Sequence, residues 1–350
     1  MNQNSTQNRQ VTLASRPVGA PQAENFHLKT APVPEIAEGQ VLLRTIYLSL
    51  DPYMRGRMSD EKSYAEPVAI GDVMVGGTVN RVTASKHPDY KVGDWVLNYN
   101  TGWQDYSVSN GKLIFKLDPA TAPVSYALGV LGMPGFTGYM GLTDIGKPKA
   151  GETLVVAAAS GPVGATVVQV GKIKGCRVVA IAGDDQKCTF ARDKLGADVV
   201  LNHKDADFAE KLAEACPNGI DIYFENVGGK VFRAVLPLLN PCARIPLCGT
   251  VSGYNNTQLP PGPDYLDKAW SLLQTRRVAV KGFIIFDDYG PRYGEFAEQM
   301  GQWLAEGRIN YLEQIVDGLE NAPEALKGLL EGKNFGKLVI RVGPDDLPEA

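Results

Sequence analysis

Cysteine and histidine are scarce in this sequence. An odd count of five cysteines in 350 residues, with no Cys-x-x-Cys pair, is typical of a protein from a reducing compartment. The three histidines, His27, His87 and His203, have no cysteine close to them in the sequence. A catalytic zinc needs three protein ligands and an open fourth position. We therefore predict no metal site and expect each histidine to be a surface or loop residue.

Neither charge of one sign nor a long apolar run dominates the chain. With 35 basic and 39 acidic residues the formal charge is −4, which argues against nucleic acid as a main partner. A Ser-Gly-Pro turn interrupts the most apolar stretch, Leu154 to Gly171, which favours a buried strand, turn and helix over a membrane span. We expect the Asn- and Gln-rich segment Met1 to Gln10 to be a frayed end, neither signal nor anchor, of a cytoplasmic protein.

The length of the chain fits two domains. From Val11 to Pro119, short β-rich runs are punctuated by glycine and proline, a pattern typical of a barrel-like β domain. After Val124, strands alternate with helices, which indicates a parallel sheet covered on both faces. The strands predicted there are Thr153 to Ala159, Arg177 to Ala182, Asp198 to Leu201, Ile220 to Phe224, Arg244 to Cys248 and Val278 to Phe286.

The end of the chain returns to a mixed pattern. It predicts helices over Tyr293 to Glu306 and Ala322 to Glu331 and a closing strand over Lys337 to Val342. We group this tail with the β-rich region. The predicted domains are residues 1–123 with 300–350, and residues 124–299.

A glycine turn carries the strongest chemical information. The strand Thr153 to Ala159 runs into Ser-Gly-Pro-Val-Gly at 160–164, and valines then recur at helical spacing. Gly161 lets the backbone approach a ligand, Pro162 suits the first position of a helix, and Gly164 lets the helix pack on the strand. Free N–H groups and the helix dipole then favour a pyrophosphate. The alternative is a tight turn that serves packing alone.

The second strand of this region ends without an acidic residue. Enzymes that use NAD carry Asp or Glu near the position of Ala182. The small, uncharged alanine leaves room here for a phosphate. Lys187 follows at the start of the next predicted helix, where its ammonium can pair with the 2′-phosphate of NADPH. Asp184 and Asp185 argue against this unless they cap that helix. Lys187 itself has the alternative of an ordinary solvated lysine.

Six segments together resemble the zinc-free medium-chain dehydrogenases/reductases, in the branch of the leukotriene/prostaglandin reductases and plant double-bond reductases. The resemblance spans nearly the whole chain. It implies an α/β fold class, with a Rossmann-type doubly wound parallel sheet and a GroES-like β-rich catalytic domain. The segments are Asp51 to Gly56, Gly132 to Thr137, Ala158 to Gly164, Glu225 to Gly229, Cys248 to Asn255 and Gly332 to Lys337.

The resemblance implies an enzyme that reduces the C=C bond of α,β-unsaturated ketones and aldehydes with NADPH. His203 stands where relatives often carry a tyrosine near the adenosine phosphate, and a partly protonated imidazole also suits an anion. The implied cofactor-binding residues are Gly161, Pro162, Val163, Gly164, Lys187, His203, Asn226, Cys248, Gly249, Ser252, Tyr254, Phe283, Ile284, Ile285 and Asn334.

Tyr254 is the predicted catalytic residue. Hydride addition to the β-carbon of an enone builds negative charge on the carbonyl oxygen, and a donor placed there stabilises that charge. Tyr254 serves as this donor or anchors the nicotinamide ribose; the alternative is that it only packs beside the cofactor. The pattern reveals no strong acid/base pair, so solvent can supply the second proton.

Tyr53 and Tyr64, with Tyr254, are the predicted substrate-binding residues, because aromatic walls suit a flat conjugated molecule. Simple packing is the alternative for each. For Arg55 and Arg57 we favour structural or salt-bridged roles over binding of a substrate carboxylate. Two other functions stay open: NADPH-dependent quinone or carbonyl reduction, and cofactor binding without catalysis. By analogy with relatives we expect a homodimer that pairs the strand Val278 to Phe286 with its copy.

Overall fold

The computed structural model describes residues 7–258 and 264–344. These residues form two compact units. The first contains residues 7–128, 313–334 and 338–344, and the second contains residues 129–258, 264–312 and 335–337. Residues 300–312 therefore belong to the second unit, whereas the sequence analysis grouped them with the β-rich region. Within the described residues, no helix has the length and apolarity needed to cross a bilayer.

The described residues form strands and α-helices, each numbered here in chain order. The strands are β1 (Gln7–Leu13), β2 (Phe26–Pro32), β3 (Val41–Ser49), β4 (Thr78–Ser85), β5 (Trp95–Asn98), β6 (Tyr106–Ser109), β7 (Ile114–Leu117), β8 (Thr153–Val156), β9 (Arg177–Ala182), β10 (Val199–Asn202), β11 (Ile220–Phe224), β12 (Leu239–Leu247), β13 (Ala279–Gly282), β14 (Glu313–Asp317) and β15 (Lys337–Arg341). The α-helices are α1 (Tyr53–Arg57), α2 (Met133–Met140), α3 (Pro162–Ile173), α4 (Asp185–Asp193), α5 (Phe208–Ala215), α6 (Gly229–Val235), α7 (Leu266–Thr275), α8 (Ile285–Tyr289), α9 (Tyr293–Ala305) and α10 (Ala322–Leu330).

The first unit is built on a sheet with the strand order β14-β15-β3-β4-β5-β7, in which β6 also pairs with β3. The long strand β3 joins β4, β6 and β15, all antiparallel to it. Most of its apolar side chains are buried in the core, as are Met54 of α1 and Leu326 of α10. Trp103 is fully buried and stacks on Phe26, with ring centroids 5.7 Å apart. The β-rich character predicted for this region is confirmed.

Residues 7–10 belong to β1, so the expectation of a frayed end is wrong for them. β1 pairs antiparallel with β2 along all seven of its residues. The Asn8 side chain is buried and donates to the carbonyl of Tyr106 at 3.0 Å. Amide side chains therefore satisfy buried backbone groups here, a contact that composition does not reveal. Met1 to Thr6 lie outside the described residues.

The second unit contains six parallel strands in the order β10-β9-β8-β11-β12-β13. All four residues of β8 are buried, as expected for a central strand covered on both faces. Helices follow β8, β9, β10 and β11 along the chain. This arrangement confirms the predicted doubly wound parallel sheet.

The last strand of this sheet is shorter than predicted. We expected a strand over Val278 to Phe286, but β13 ends at Gly282 and α8 begins at Ile285. The Ile284 N–H donates to the Asp288 carboxylate at 2.8 Å, which satisfies a free N–H at the start of α8. The predicted strand therefore combines β13 and the start of α8, and hydrophobicity alone does not reveal the boundary between them.

Candidate functional site

The strand order of the second unit defines where a ligand can bind. From β8 the chain proceeds to β9 and β10 on one side, and then to β11, β12 and β13 on the other. In such sheets, ligands bind outside the carboxyl ends of the strands, where the order reverses. Here this point lies between β8 and β11. The Asn226 side chain bridges it by donating from Nδ2 to the carbonyl of Ala157 at 2.8 Å.

The turn from β8 into α3 is closely packed. Ala158 has a left-handed φ of 52°, and Gly161 precedes Pro162, the first residue of α3. A Cβ at Gly164 would lie only 2.3 Å from the Ala158 carbonyl oxygen, so this position requires glycine. Residues 161–163, which include Val163, keep part of their surface exposed. Because the first N–H groups of a helix have no partner within it, this end of α3 fits a pyrophosphate.

The turn after β11 is held by a buried carboxylate. Glu225 is 3% exposed, and its Oε1 accepts hydrogen bonds from the Tyr223 hydroxyl at 2.9 Å and from the N–H groups of Val227 and Gly228 at 2.7 and 2.8 Å. Burial raises the pKa of Glu225, although these hydrogen bonds oppose the rise. The turn fixes Asn226 beside the end of β8. The sequence analysis quoted Glu225 only within a motif and missed this role.

Three lysines and a histidine lie near the ends of β9 and β10, and we call them the basic cluster. It consists of Lys187, His203, Lys204 and Lys230. Burial lowers the pKa of His203, and the positive charges of Lys230, Lys204 and Lys187 lower it further. The imidazole is therefore neutral at pH 7, and its buried Nδ1 has no hydrogen-bond partner among the described residues. A buried, unsatisfied ring nitrogen among lysines suits an anion that supplies negative charge and acceptor oxygens.

One of the two aspartates next to this cluster caps a helix. The Asp184 carboxylate caps α4 by accepting the Lys187 N–H at 2.8 Å, as the capping interpretation predicted. The Lys187 Nζ lies 3.5 Å from the same carboxylate. Burial would raise the pKa of Asp184, but the Lys187 N–H bond and charge bring it below its usual value. Asp185 lies in the first turn of α4 and its Oδ1 is 3.5 Å from the Asn202 amide.

The sequence analysis did not identify Lys204 and Lys230 as candidates. A positional signal was available, since Lys204 closely follows β10 and Lys230 closely follows β11. The carboxyl ends of parallel strands meet at one edge of a sheet, so basic residues after different strands converge there. The charges of both lysines lower the pKa of His203, in agreement with this convergence.

The loop after β12 brings four predicted residues together. The Ser252 hydroxyl donates to the Val227 carbonyl at 2.6 Å, which ties this loop to the turn after β11. A Cβ at Gly249 would lie 3.1 Å from the Tyr254 hydroxyl, so glycine leaves room for that phenol. Burial, followed by the Glu225 charge, raises the pKa of the Cys248 thiol to about 12. Cys248 is therefore protonated at neutral pH and is unsuited to nucleophilic chemistry.

The predicted segment Phe283 to Ile285 divides between core and surface. Phe283 and Ile285 are each 7% exposed, while Ile284 keeps part of its surface exposed. Phe283 packs edge-on against Tyr289, with ring centroids 6.1 Å apart. Only Ile284 therefore has side-chain surface available to a cofactor, and a part played by its two neighbours would use backbone atoms.

Three predicted residues belong to the first unit. Tyr53 begins α1, and burial followed by the charge of Asp51 raises its pKa, so the phenol stays protonated. Tyr64 influences the same phenol but is itself 55% exposed. Asn334 lies half-buried between α10 and β15. Their roles toward substrate and cofactor stay predictions.

Metal-binding side chains do not gather in the described parts of the chain. Across residues 7–258 and 264–344, no group of three or more His, Cys, Asp and Glu is placed to hold an ion. The five cysteines are all free. The arrangement at the sheet edge instead offers helix N–H groups, an amide and the basic cluster, which together fit a phosphorylated dinucleotide.

Comparison with known proteins agrees with this geometry. A family model described as the N-terminal domain of oxidoreductase matches residues 9–117, and one described as zinc-binding dehydrogenase matches residues 162–306. NADPH-dependent curcumin reductase of Escherichia coli (strain K12) is 64% identical over 346 residues, covering 99% of this chain and 100% of that protein. The NADP-dependent 2-alkenal reductase of Nicotiana tabacum is 39% identical, covering 96% and 97%.

A solved structure is similarly close. The crystal structure of CurA from Vibrio vulnificus in complex with NADPH superimposes with a TM-score of 0.92 at 64% identity. The match covers 96% of this chain and 99% of that chain.

Proposed function

This chain belongs to the medium-chain dehydrogenase/reductase family, in the branch that contains the prostaglandin reductases, and on that premise we propose that it is an NADPH-dependent enone reductase. It reduces the C=C bond of α,β-unsaturated ketones and aldehydes. The observation that carries this function is the 64% identity, over 99% of the chain, to a protein named for NADPH-dependent reduction of curcumin, itself a conjugated ketone.

The test is turnover of conjugated substrates by the purified protein. NADPH consumption is followed with a panel of enones, enals and quinones, and the products are identified. A saturated ketone or aldehyde is the expected product. An allylic alcohol would instead indicate carbonyl reduction, and NADPH binding without turnover of any substrate would indicate a cofactor-binding protein that is not an enzyme.

The cofactor is held at the sheet edge described above. In this proposal, residues 161–164 bind the pyrophosphate through the start of α3, and the basic cluster binds the 2′-phosphate. A charge-assisted bond contributes about 1.5–3 kcal/mol, so Lys187 alone accounts for a preference over NADH of roughly 10- to 100-fold. Asn226, the loop from Cys248 to Tyr254, Phe283 to Ile285 and Asn334 contact the remainder of the dinucleotide.

Tyr254 acts at the reacting centre. The chemistry supplied by bound NADPH is a hydride for the β-carbon of the enone. The Tyr254 hydroxyl donates to the carbonyl oxygen, where negative charge grows, or to the nicotinamide ribose. Its position over Gly249 supports this role, because the absent side chain leaves room for the phenol. The thiol of Cys248 stays protonated and takes no part as a nucleophile.

Tyr53 and Tyr64 bind the substrate in this proposal. Burial keeps the Tyr53 phenol neutral, so it offers a flat wall and a hydrogen-bond donor to a conjugated molecule. Tyr64, with 55% of its surface exposed, has a large aromatic area that a ligand can cover. Tyrosine fluorescence would measure this contact. Substrate should quench it in the unchanged chain, and the quenching should be smaller in Tyr64→Ala.

We further propose a cytoplasmic homodimer that acts on small molecules and binds neither nucleic acid nor membrane. β13 is one of the two edge strands of the six-stranded sheet, and all four of its residues are exposed. The helix that leads into it exposes Leu266 and Trp270, at 56% and 62%. An unpaired strand edge with nearby exposed apolar side chains supports pairing with a second copy. The mass in solution tests this, and a monomer would contradict it.

A further inference from the structure

Arg57, the last residue of α1, carries a positive charge that no acidic side chain of the described residues neutralises. Its side chain is half-buried, and its Nε is buried without a hydrogen-bond partner. Within residues 7–258 and 264–344, neither an ion pair nor a side-chain hydrogen bond to this guanidinium is formed. A buried donor of a charged group is ordinarily paired, because leaving it unsatisfied is costly, and the Arg57 Nε is such a donor.

Other arginines of the same unit are occupied. The Arg55 guanidinium, two residues earlier, donates to the Gly19 carbonyl at 3.0 Å and holds the loop between β1 and β2 against α1. Arg9 and Arg44 both bind the buried Asp105 carboxylate at 2.9 Å, and Arg81 lies over the Trp95 ring. The structural role expected for Arg55 is therefore confirmed, while Arg57 has no equivalent contact.

The position of Arg57 relates it to the aromatic residues named above. Tyr53 and Arg57 are four residues apart on α1, a spacing that places two side chains on one face of a helix. The charge of Arg57 acts on the Tyr53 phenol, which Tyr64 also influences. Arg57 therefore adds a positive charge to the pair of tyrosines proposed to bind substrate.

We propose that Arg57 is a specificity residue that binds a carboxylate carried by the substrate. The inference rests on the enone-reductase function and adds a substrate class to it: conjugated ketones or aldehydes with an anionic end. A planar guanidinium presents parallel N–H groups that match the two oxygens of a carboxylate. Such a contact would satisfy the unpaired Nε and orient the apolar chain of the substrate along Tyr53 and Tyr64.

The experiment compares a conjugated enone that ends in a carboxylate with its methyl ester. For the unchanged enzyme we expect kcat/KM to be about 10- to 100-fold higher for the acid, the range given by one charge-assisted bond. Arg57→Gln should remove this preference by raising KM for the acid, with the ester unaffected. Arg57→Lys keeps the positive charge but loses the parallel N–H groups of the guanidinium, so it should retain part of the preference for the acid. Lys62→Gln, which removes an exposed cation five residues away, is the matched control.

A second measurement needs no variant. A saturated carboxylate of the same length should compete with the enone substrate, and its methyl ester should not. Equal kcat/KM for acid and ester, or equal losses on both substrates in Arg57→Gln, would overturn the inference while leaving enone reduction intact. If neither compound is reduced by the unchanged enzyme, the proposed function itself fails.

Discussion

Two glycines at the start of α3 have different surroundings, and we expect alanine substitutions at them to separate fold stability from cofactor binding. A Cβ at Gly164 would lie 2.3 Å from the carbonyl oxygen of Ala158 and 2.8 Å from its carbonyl carbon. Both atoms belong to the backbone of a turn whose φ is already left-handed. A Cβ at Gly161 would lie 3.4 Å from the same oxygen, an ordinary contact, and its φ of −74° suits alanine.

The expected magnitudes follow from these distances. Non-bonded heavy atoms are comfortable at about 3.5 Å, so Gly164→Ala must displace α3 or the turn by roughly 1 Å. Overpacking of this kind costs about 1–3 kcal/mol of unfolding free energy. The same displacement moves the N–H groups that face the pyrophosphate, and losing one charge-assisted bond would weaken NADPH binding about 10- to 100-fold. Gly161→Ala should change stability by no more than about 1 kcal/mol.

Urea unfolding and NADPH titration of both variants measure the two effects. If Gly161 lets a phosphate approach the backbone, Gly161→Ala should bind NADPH less tightly although it is as stable as the unchanged protein. Gly164→Ala should lose both stability and affinity. Equal unfolding free energies for the two variants would refute the steric argument, and full NADPH affinity in both would refute the placement of the pyrophosphate.

Three further predictions concern the candidate site. Lys187→Ala should reduce the preference for NADPH over NADH by about 10- to 100-fold, measured as a ratio of dissociation constants; an unchanged ratio would remove Lys187 from phosphate recognition. Tyr254→Phe should keep NADPH affinity but lower kcat about 10²- to 10³-fold, and unchanged turnover would exclude the donor role. His203 has a lower pKa folded than unfolded, so the unfolded chain binds more protons; its contribution to stability is present above about pH 6.5 and is lost as the pH falls through the folded pKa. His203→Gln should flatten this part of the urea-unfolding profile, and an identical acid slope in the variant would contradict the assignment.

The sheet of the second unit was predictable because its signals are local. Buried strands with glycine turns and helical spacing identify β8, α3 and β9 directly from the sequence. The run Val278 to Phe286 was not separable into β13 and α8 because it is mostly apolar, and the contact from Ile284 to Asp288 that marks the start of the helix exists only in the folded chain. β1 was missed because its buried amide groups are satisfied by residues almost a hundred positions away, such as Tyr106.

The candidate site was predictable only in part for the same reason. The glycine turn and Lys187 lie within one continuous strand-turn-helix segment, so spacing alone points to them. The basic cluster combines residues that follow three different strands, so only their shared position after parallel strands, and no short-range spacing, relates Lys230 to His203. Arg57 shows a further limit: its place on α1 and the lack of a partner for its Nε among the described residues are both properties of the folded unit.

The first unit is assembled from both ends of the chain, which affects the order of events during synthesis. Its sheet needs β15, where Val339 pairs with Ser49 of β3. The ribosome must therefore add about 290 residues after β3 before that pairing can form, which takes roughly 15–60 s at ordinary translation rates. The parallel sheet, encoded between these segments, emerges complete before the antiparallel one. The nascent β-rich segment thus waits with the positions of β14 and β15 unfilled, while the portion translated later reaches its native pairing first.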